Sequence, residues 1–262
     1  MLEEIIRIAK SAGEIALGAD ADRHISVKEG RANFVTEYDK RVQSYIHGEL
    51  SRLLPEAVFV GEEDEFHPDM MSNGYRFIVD PIDGTTNFIR GSASYSVCIA
   101  LMNGDKQVCG VVHVPALDTT YFAEAGKGAF AVRRGVTERI HVSGYGLDGA
   151  IIAMGTSPYR EKLVTKSFDL TKKLLTKAAD IRRSGSAALD ICYVAEGVYD
   201  LMFELSLYAW DFTAASIILT EAGGVFSDLN GESVTCKLNT PYVAGSPAAH
   251  ADFIEFIKAH GE

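Results

Sequence analysis

The residues best suited to chemistry lie in segment 76–88, which reads RFIVDPIDGTTNF. Its apolar start is typical of a buried strand, and the proline after Asp80 should end regular strand pairing there. Asp83 follows and precedes a turn signal, so this strand end carries two carboxylates. Carboxylates are preferred ligands of Mg²⁺, and the N–H groups of Gly84 and Thr85 could receive a phosphate. Both aspartates could equally be ordinary turn and capping residues.

The size and composition of the chain are those of an ordinary globular protein. Hydrophobic residues make up 47% and charged residues 23% of 262 residues, so the chain can bury a substantial core. We predict a single domain over residues 1–262, with approximate halves 1–147 and 148–262. No apolar run approaches the roughly 20 residues that span a bilayer, and Glu3 and Glu4 replace the basic start of a signal peptide. We therefore expect a cytoplasmic protein with no membrane partner.

Charge and cysteine usage narrow the possible partners. The net charge of −11 argues against a nucleic-acid partner, because phosphate backbones are bound by clustered Lys and Arg. The cysteines are scattered without a Cys-x-x-Cys pair, which predicts reduced thiols, and the seven histidines lack the spacing of a zinc site. Any bound metal should therefore be held by oxygen. The cysteines are Cys98, Cys109, Cys192 and Cys236.

Two predicted helices precede the central segment. Apolar residues at helical spacing indicate an amphipathic helix over residues 2–17. A second helix should begin after Thr36 as its N-cap and end at Pro55. Asp39 lies in its first turn, where the helix dipole alone favours a carboxylate. The intervening residues 25–34 are mixed and polar, which indicates a loop or short hairpin.

A second acidic feature follows a neighbouring predicted strand. Residues 57–60 read as a short strand, and the acidic run that begins at Glu62 comes directly after it. In layered α/β folds, sites collect at strand ends. After the central segment, several β-like runs follow one another without helices, which predicts a partly antiparallel sheet. These runs span residues 95–102, 107–114, 119–124 and 128–132.

The second half of the chain alternates strands with helices. Asp211 is placed as the N-cap of one of these helices, although a metal ligand could occupy the same position. Glu204 should end the strand before it. The small residues Gly185, Ser186 and Ala187 let backbone approach a ligand closely, although helix packing commonly explains such a run. The predicted strands span 149–154, 199–203, 225–228 and 242–245, and the predicted helices span 157–179, 189–196, 212–222 and 249–259.

Taken together, four of these segments resemble the motifs of the inositol monophosphatase family. Residues 79–88 look like its first signature, and residues 210–215 with 220–224 look like its second. The Gly-Glu-Glu run at 61–63 fits its upstream glutamate motif, and residues 33–39 resemble the segment that carries a further acidic residue. The four matches occur in order and at suitable separations.

The resemblance implies an α/β (α+β) fold, a layered α-β-α-β-α sandwich with mixed, largely antiparallel sheets, usually found as a homodimer. It also implies two to three Mg²⁺ ions and inhibition by lithium. Asp39 would reach the weakest metal site, partly through water. The metal ligands implied are Glu62, Asp80, the Ile82 carbonyl, Asp83, Asp211 and Asp39.

The implied chemistry is hydrolysis of a small-molecule phosphate monoester. Such a dianion repels hydroxide, so clustered cations must neutralise it and activate a water for in-line attack. By resemblance, Glu62, Thr85 and Asp80 are the catalytic residues, and the N–H groups of Gly84 and Thr85 bind the phosphate. The substrate-binding residues implied are Asp83, Glu204, Gly185, Ser186 and Ala187.

The substrate is open within this family. The Asp-Gly-Thr-Thr-Asn-Phe run with Glu204 favours inositol 1-phosphate. Fructose 1,6-bisphosphate is the main alternative; it would need a second cationic pocket, to which Arg182 or Arg183 could contribute. Histidinol phosphate is a further possibility. Relatives that act on 3′-phosphoadenosine 5′-phosphate usually have a Lys-Glu pair at the positions of Thr86 and Asn87, so this substrate is less favoured.

Two other classes of protein share parts of this pattern. In a haloacid-dehalogenase-type phosphatase, a single residue lies between the two aspartates of the motif. Here two residues lie between Asp80 and Asp83, so that class is disfavoured. A non-catalytic metal-binding interaction protein on the same fold is the less favoured alternative, since every expected ligand is present.

Overall fold

The computed structural model describes residues 1–19, 26–29, 33–65, 74–158, 160–234 and 240–260, with backbone alone at 26–29, 33–35, 240 and 260. These residues form seven helices and fourteen strands. The helices are α1 (Leu2–Leu17), α2 (Glu37–Leu53), α3 (Thr85–Ile89), α4 (Glu161–Leu174), α5 (Ala187–Ala195), α6 (Ala209–Glu221) and α7 (Pro247–His260). The strands are β1 (Ser26–Glu29), β2 (Asn33–Val35), β3 (Val58–Gly61), β4 (Tyr75–Asp83), β5 (Ser96–Asn103), β6 (Lys106–Val114), β7 (Thr119–Glu124), β8 (Ala129–Arg133), β9 (Val136–Ile140), β10 (Ile151–Met154), β11 (Asp180–Arg182), β12 (Leu201–Leu207), β13 (Val225–Ser227) and β14 (Thr240–Gly245).

Most strands belong to two mixed sheets. The larger has seven strands in sequence order from β3 to β9, and β3–β4 is its one parallel pair. The smaller has five strands in the order β11-β10-β12-β14-β13, with parallel pairs on one side of β12 and antiparallel pairs on the other. The short β1–β2 pair is antiparallel, which confirms the hairpin expected between the first two helices.

Three groups of helices cover the faces of these sheets. Helices α1 and α2 pack on one face of the seven-stranded sheet. Helices α5 and α6 fill the space between the two sheets, and α4 and α7 cover the outer face of the five-stranded sheet. The predicted α-β-α-β-α layering and the α/β (α+β) class are confirmed. The single domain over residues 1–262 stays a prediction.

Alternation along the strands assigns each side chain to a layer. In β4, Phe77 packs with α1 and α2, whereas its neighbour Ile78 packs with α5 and α6. In β12, Leu201 faces α4 and α7, and Met202 faces α5 and α6. Because both faces of each sheet are covered, these strands appear in the sequence as nearly continuous apolar runs.

Several predicted boundaries were wrong, and two edge strands were not predicted. The helix expected at 157–179 is the shorter α4, and residues 180–182 after it form β11, which was not predicted. The edge strand β9 was also missed. Both strands lie at the edge of their sheets and expose most of their side chains, so neither carries a hydrophobic period that sequence reasoning could detect.

The elements that carry the acidic residues also differ in detail. Glu204 lies inside β12 rather than at its end, because this strand continues to Leu207. Helix α6 begins at Ala209 with Tyr208 as its N-cap, so Asp211 is its third residue and not the N-cap. Helix α5 begins just after Ser186, two residues earlier than expected.

Among the described residues, no helix combines the length and apolar character that a bilayer crossing requires.

Strand β6 lies directly against α6 at Gly110. A Cβ atom there would lie 2.4 Å from the carbonyl oxygen of Ala214 and 2.6 Å from Cγ2 of Ile217. We expect Gly110→Ala to lower the free energy of unfolding by about 2 kcal/mol, because buried backbone would have to move. Chemical denaturation measures this change.

Gly48→Ala is the matched control. Gly48 lies within α2, and its Cβ position has no neighbour within 4 Å outside the backbone of its own helix. The replacement should raise the free energy of unfolding by about 1 kcal/mol through helix propensity. A Gly110→Ala protein as stable as the wild type would contradict the close packing of β6 on α6.

Candidate active site

Strand β4 delivers Asp80 and Asp83 to one point. Pairing with β5 is regular as far as Asp80 opposite Cys98, and the register then shifts before Asp83 pairs with Ser96. Both aspartates are buried, with 1% and 8% of their surface exposed. Asp80 Oδ1 accepts the N–H of Ile82 at 3.0 Å, so the chain bends around this carboxylate. The predicted end of regular pairing at Asp80 is confirmed, although the strand itself continues to Asp83.

Gly84 turns the chain from β4 into α3. It has φ +89° and ψ +39°, a left-handed conformation that favours glycine. A Cβ atom here would also lie 3.0 Å from the carbonyl oxygen of Ser94 and 3.3 Å from that of Gly185. Backbone from both halves of the chain therefore lies close to this turn, and a side chain at position 84 would require it to shift.

A cavity of about 450 Å³ lies at this turn, and both halves of the chain form its wall. All predicted site residues except Asp39 line it. They are Glu62, Asp80, Ile82, Asp83, Gly84, Thr85, Gly185, Ser186, Ala187, Glu204 and Asp211. The fold thus brings these residues together from separate elements. They lie in or next to β3, β4, β12 and the N-terminal ends of α3, α5 and α6.

Asp39 lies outside this wall, behind Thr85. Its buried carboxylate accepts the N–H of Thr36 at 2.7 Å through Oδ2 and the Thr85 hydroxyl at 3.3 Å through Oδ1. The Thr36 hydroxyl oxygen accepts the N–H groups of Tyr38 and Asp39, which completes a capping box at the start of α2. The predicted N-cap Thr36 and the predicted first-turn position of Asp39 are confirmed, and the role of Asp39 at a third metal stays a prediction.

The carboxylate of Asp83 is held by the N-terminal end of α5. Oδ2 accepts the Ser186 hydroxyl at 2.5 Å and the Ala188 N–H at 2.9 Å, and Oδ1 accepts the Ala187 N–H at 3.3 Å. Burial raises the pKa of Asp83 to about 6, although these hydrogen bonds favour the ionised form. A residue of the first half thus depends on a helix of the second half for its partners.

Asp80 and Asp211 carry the strongest repulsion. Burial raises the pKa of Asp80 well above its usual range, and the negative charges of Glu62, Asp83 and Asp211 raise it further. Burial and then the charges of Glu62 and Asp83 likewise raise the pKa of Asp211, although its Oδ2 accepts the Tyr208 N–H at 2.9 Å. These four carboxyl groups therefore oppose one another's ionisation.

Glu204 occupies another part of the wall. Its Oε1 accepts the N–H of Ser157 at 2.9 Å and the hydroxyl of the same residue at 3.3 Å. Gly155 leaves room for the carboxyl group, since a Cβ atom there would overlap it. Burial raises the pKa of Glu204 to about 7, while the Ser157 bonds and the positive charge of Arg183 lower it. This carboxyl group is therefore poised to change protonation near neutral pH.

The family model described as "Inositol monophosphatase family" matches residues 1–262. The chain belongs to the inositol monophosphatase family. It is 31% identical over 262 residues to the "Putative Nus factor SuhB" of Neisseria meningitidis serogroup B, with 99% of this chain and 98% of the relative covered. It is 30% identical over 263 residues to the "Fructose-1,6-bisphosphatase/inositol-1-monophosphatase" of Aquifex aeolicus, with 99% and 96% covered.

A solved structure of this family shares the fold closely. The extragenic suppressor protein suhB from Bartonella henselae superimposes with a TM-score of 0.87 at 33% identity, with 99% of this chain and 98% of that chain covered. Family membership and these likenesses support a phosphatase of the inositol monophosphatase type. The names of the relatives differ, so membership by itself carries no single substrate.

Members of the inositol monophosphatase family use a divalent metal, typically Mg²⁺. Within the described ranges, no three His, Cys, Asp or Glu side chains are already arranged around one metal position. Instead, both oxygens of Asp83 accept bonds from the start of α5, and Asp80 lies close enough to Glu62 for the charge of Glu62 to raise its pKa.

The donor chemistry nonetheless fits a divalent cation. Four carboxylates and the Ile82 carbonyl line one cavity, which supplies the oxygen ligands that Mg²⁺ prefers. A bound cation would also relieve the repulsion that raises the pKa values of Asp80 and Asp211. We infer that Glu62, Asp80, Asp83 and Asp211 would hold the metal after their side chains turn toward it.

Sequence reasoning missed Asp190, which also lines the cavity. This residue is 2% exposed, and its Oδ1 has no hydrogen-bond partner among the described residues. Burial raises its pKa to about 7, and the positive charge of Arg183 lowers it. A single acid inside the apolar run Ala-Ala-Leu-Asp-Ile-Cys was the signal that could have found it. Ser157, Arg160 and Tyr208 line the cavity as well and carried no comparable signal.

The buried Glu204 should make stability depend on pH. Because folding raises its pKa from 4.5 to about 7, its contribution to stability is full below pH 4.5 and is lost as the pH rises through about 7. Between pH 4.5 and about pH 8, the wild type should therefore lose about 3 kcal/mol more unfolding free energy than the Glu204→Gln variant. Chemical denaturation of the metal-free protein at several pH values measures this.

Glu255→Gln, on the exposed side of α7, is the control and should leave the pH dependence unchanged. If Glu204→Gln shows the same pH dependence as the wild type and this control, the carboxyl group of Glu204 does not titrate as its burial requires.

Proposed function

We propose that this protein is a Mg²⁺-dependent phosphomonoesterase that hydrolyses inositol 1-phosphate to inositol and phosphate. The observation that carries the proposal is the single cavity, which combines a cluster of mutually repelling carboxylates with the turn at Gly84 and the buried Glu204. A cation-binding group, an anion-binding turn and a hydroxyl acceptor are the three parts that a polyol phosphate requires.

The phosphate end is proposed at the start of α3. An anion bound here would meet the N–H groups of Gly84 and Thr85, where the positive ends of the peptide dipoles favour negative charge. The metal supplies charge neutralisation of the phosphate and of the leaving oxygen when it is bound. The residues of the chain then have two tasks, which are to orient the attacking water and to hold the alcohol.

Thr85 is suited to the first task. Its hydroxyl group donates a hydrogen bond either to Asp39 Oδ1 at 3.3 Å or to the Ile82 carbonyl oxygen at 3.1 Å. The Thr85 oxygen can then accept a hydrogen bond from the attacking water, and the Glu62 carboxylate in the same wall takes the proton of that water. The water oxygen bonds to phosphorus, the bond between phosphorus and the ester oxygen breaks, and the leaving alcohol oxygen takes a proton from solvent while Glu62 later returns its proton to solvent.

Glu204 is suited to the second task. Its Oε1 is already fixed by Ser157, so the carboxyl group has a defined orientation in the wall. A carboxylate in this position can accept hydrogen bonds from adjacent hydroxyl groups of a polyol. The Gly185, Ser186 and Ala187 turn lies in the same wall and offers backbone groups to the same part of the substrate.

Fructose 1,6-bisphosphate is the second candidate substrate. Arg160 and Arg183 both line the cavity, and the charge of Arg183 acts on Glu204 and Asp190. Two guanidinium groups at the alcohol end could hold a second phosphate. The Aquifex aeolicus relative, whose name includes both activities, is consistent with this candidate. We also propose that the protein is a cytoplasmic homodimer, as the family resemblance implies.

Phosphate release from a panel of esters tests the substrate. The panel is inositol 1-phosphate, fructose 1,6-bisphosphate, histidinol phosphate and 3′-phosphoadenosine 5′-phosphate, each with Mg²⁺ and with chelator. We expect Mg²⁺-dependent release that is fastest with inositol 1-phosphate. Faster release from fructose 1,6-bisphosphate would select the second candidate. No release from any ester would favour a non-catalytic interaction protein, a role that the relatives named Nus factor make worth testing.

Thermal unfolding with and without Mg²⁺ tests the metal site separately from turnover. At a Mg²⁺ concentration about 100 times the dissociation constant, binding should stabilise the wild type by about 2.7 kcal/mol. Asp80→Asn and Asp211→Asn should abolish this shift, because each removes a charged ligand, while the proteins stay folded without metal. Asp105→Asn, in the exposed β5–β6 turn, is the control and should keep the full shift. A full shift in either site variant would contradict the ligand assignment.

A further inference from the structure

Asn87 joins the two halves of the chain at the cavity. Its side-chain amide nitrogen donates one hydrogen bond to the Ser94 carbonyl at 2.6 Å and another to the Ser184 carbonyl at 2.9 Å. Ser94 lies in the loop after α3, whereas Ser184 begins the turn that leads into α5. A single amide group therefore uses both of its N–H groups to connect two backbone segments that are far apart in sequence.

The two glycine turns of the cavity meet beside this amide. A Cβ atom at Gly185 would lie 3.0 Å from Asn87 Nδ2, and a Cβ atom at Gly84 would lie 3.3 Å from the Gly185 carbonyl oxygen. Both glycines have φ +89°. The turn proposed for phosphate and the turn proposed for the alcohol are thus in contact, and Asn87 lies against the second one.

Ser184 is also held from its other side. Its N–H donates to Asp190 Oδ2 at 3.3 Å, and its hydroxyl oxygen accepts the N–H of Ser186 at 3.1 Å. Side chains therefore bind both backbone groups of Ser184: Asp190 accepts its N–H and Asn87 donates to its carbonyl. These two bonds together set the position of the residues that follow, 185–187.

The position of this turn matters to Asp83. The Ser186 hydroxyl and the Ala188 N–H are the two shortest hydrogen bonds to its carboxylate. A shift of the 184–187 turn would therefore displace the donors to Asp83 and the backbone that faces the cavity at the same time.

We propose that Asn87 is a positioning residue that sets the distance between the phosphate-binding turn at Gly84 and the alcohol-binding turn at 184–187. Asn87 is itself part of the cavity wall, but Ser94 and Ser184 use both N–H groups of its amide, so it acts through the turn and not as a donor to the substrate. An aspartate has almost the same shape but no N–H donor, so it cannot make either bond. The consequence for catalysis depends on the proposed phosphatase function, but the consequence for the turn does not.

Hydrogen exchange tests the effect on the turn in the absence of substrate. In Asn87→Asp and Asn87→Ala, the amides of residues 184–188 should exchange about tenfold faster than in the wild type, because the two partly buried hydrogen bonds of the Asn87 amide are lost. Asn103→Asp is the matched control, since Asn103 is exposed at the end of β5, and it should leave this exchange unchanged. Unchanged exchange of residues 184–188 in both Asn87 variants would overturn the proposal.

Steady-state kinetics tests the effect on the substrate. We expect the KM for inositol 1-phosphate to rise about tenfold in the Asn87 variants, while the KM for p-nitrophenyl phosphate, whose alcohol part lacks the hydroxyl groups of a polyol, changes less than about twofold. An equal loss on both esters would make Asn87 a merely structural residue. If the wild type hydrolyses neither ester, the proposed function fails, and the exchange result alone decides the role of Asn87.

Discussion

The structure depends on the burial of several carboxyl groups of like charge in one place. Burial raises the pKa values of Asp80, Asp83 and Asp211, and the negative charge of the neighbouring Glu62 raises all three further. A folded protein tolerates such a cluster when hydrogen bonds or a cation compensate for the lost solvation. The elements around the cavity supply donors that compensate for this burial.

Helix N-termini provide much of the compensation. Asp39 accepts N–H and hydroxyl bonds at the start of α2, and Asp211 accepts the N–H that precedes α6. Asp83 lies outside any helix but faces the first N–H groups of α5. Each of these carboxylates thus meets the positive end of a helix dipole, which favours the ionised form that a metal or a substrate hydroxyl needs.

The cavity belongs to neither half of the chain alone. The first half contributes the strand end of β4 and the turn at Gly84, and the second half contributes the 184–187 turn, Glu204 and Asp211. The two halves meet where Gly84 lies beside the Gly185 carbonyl, with too little room between them for an unstrained Cβ atom, and through the side chain of Asn87. This explains why the motifs are rich in glycine and small residues at these points, since a larger side chain would separate the halves and widen the cavity.

The sequence alone determined the acidic strand end at Asp80 and Asp83 and eleven of the residues that line the cavity, and its motifs implied the layered fold by resemblance to the family. It could do so because apolar runs, helix periods and short motifs are local features of the chain. It misplaced the edge strands β9 and β11, whose exposed side chains have no period, and it put Asp211 at the N-cap. Only the tertiary structure decided that Asp39 lies behind Thr85, that Asp190 is buried in the wall and that Asn87 bonds to Ser184. Those facts depend on which distant segments pack together, and no local pattern in the chain encodes that.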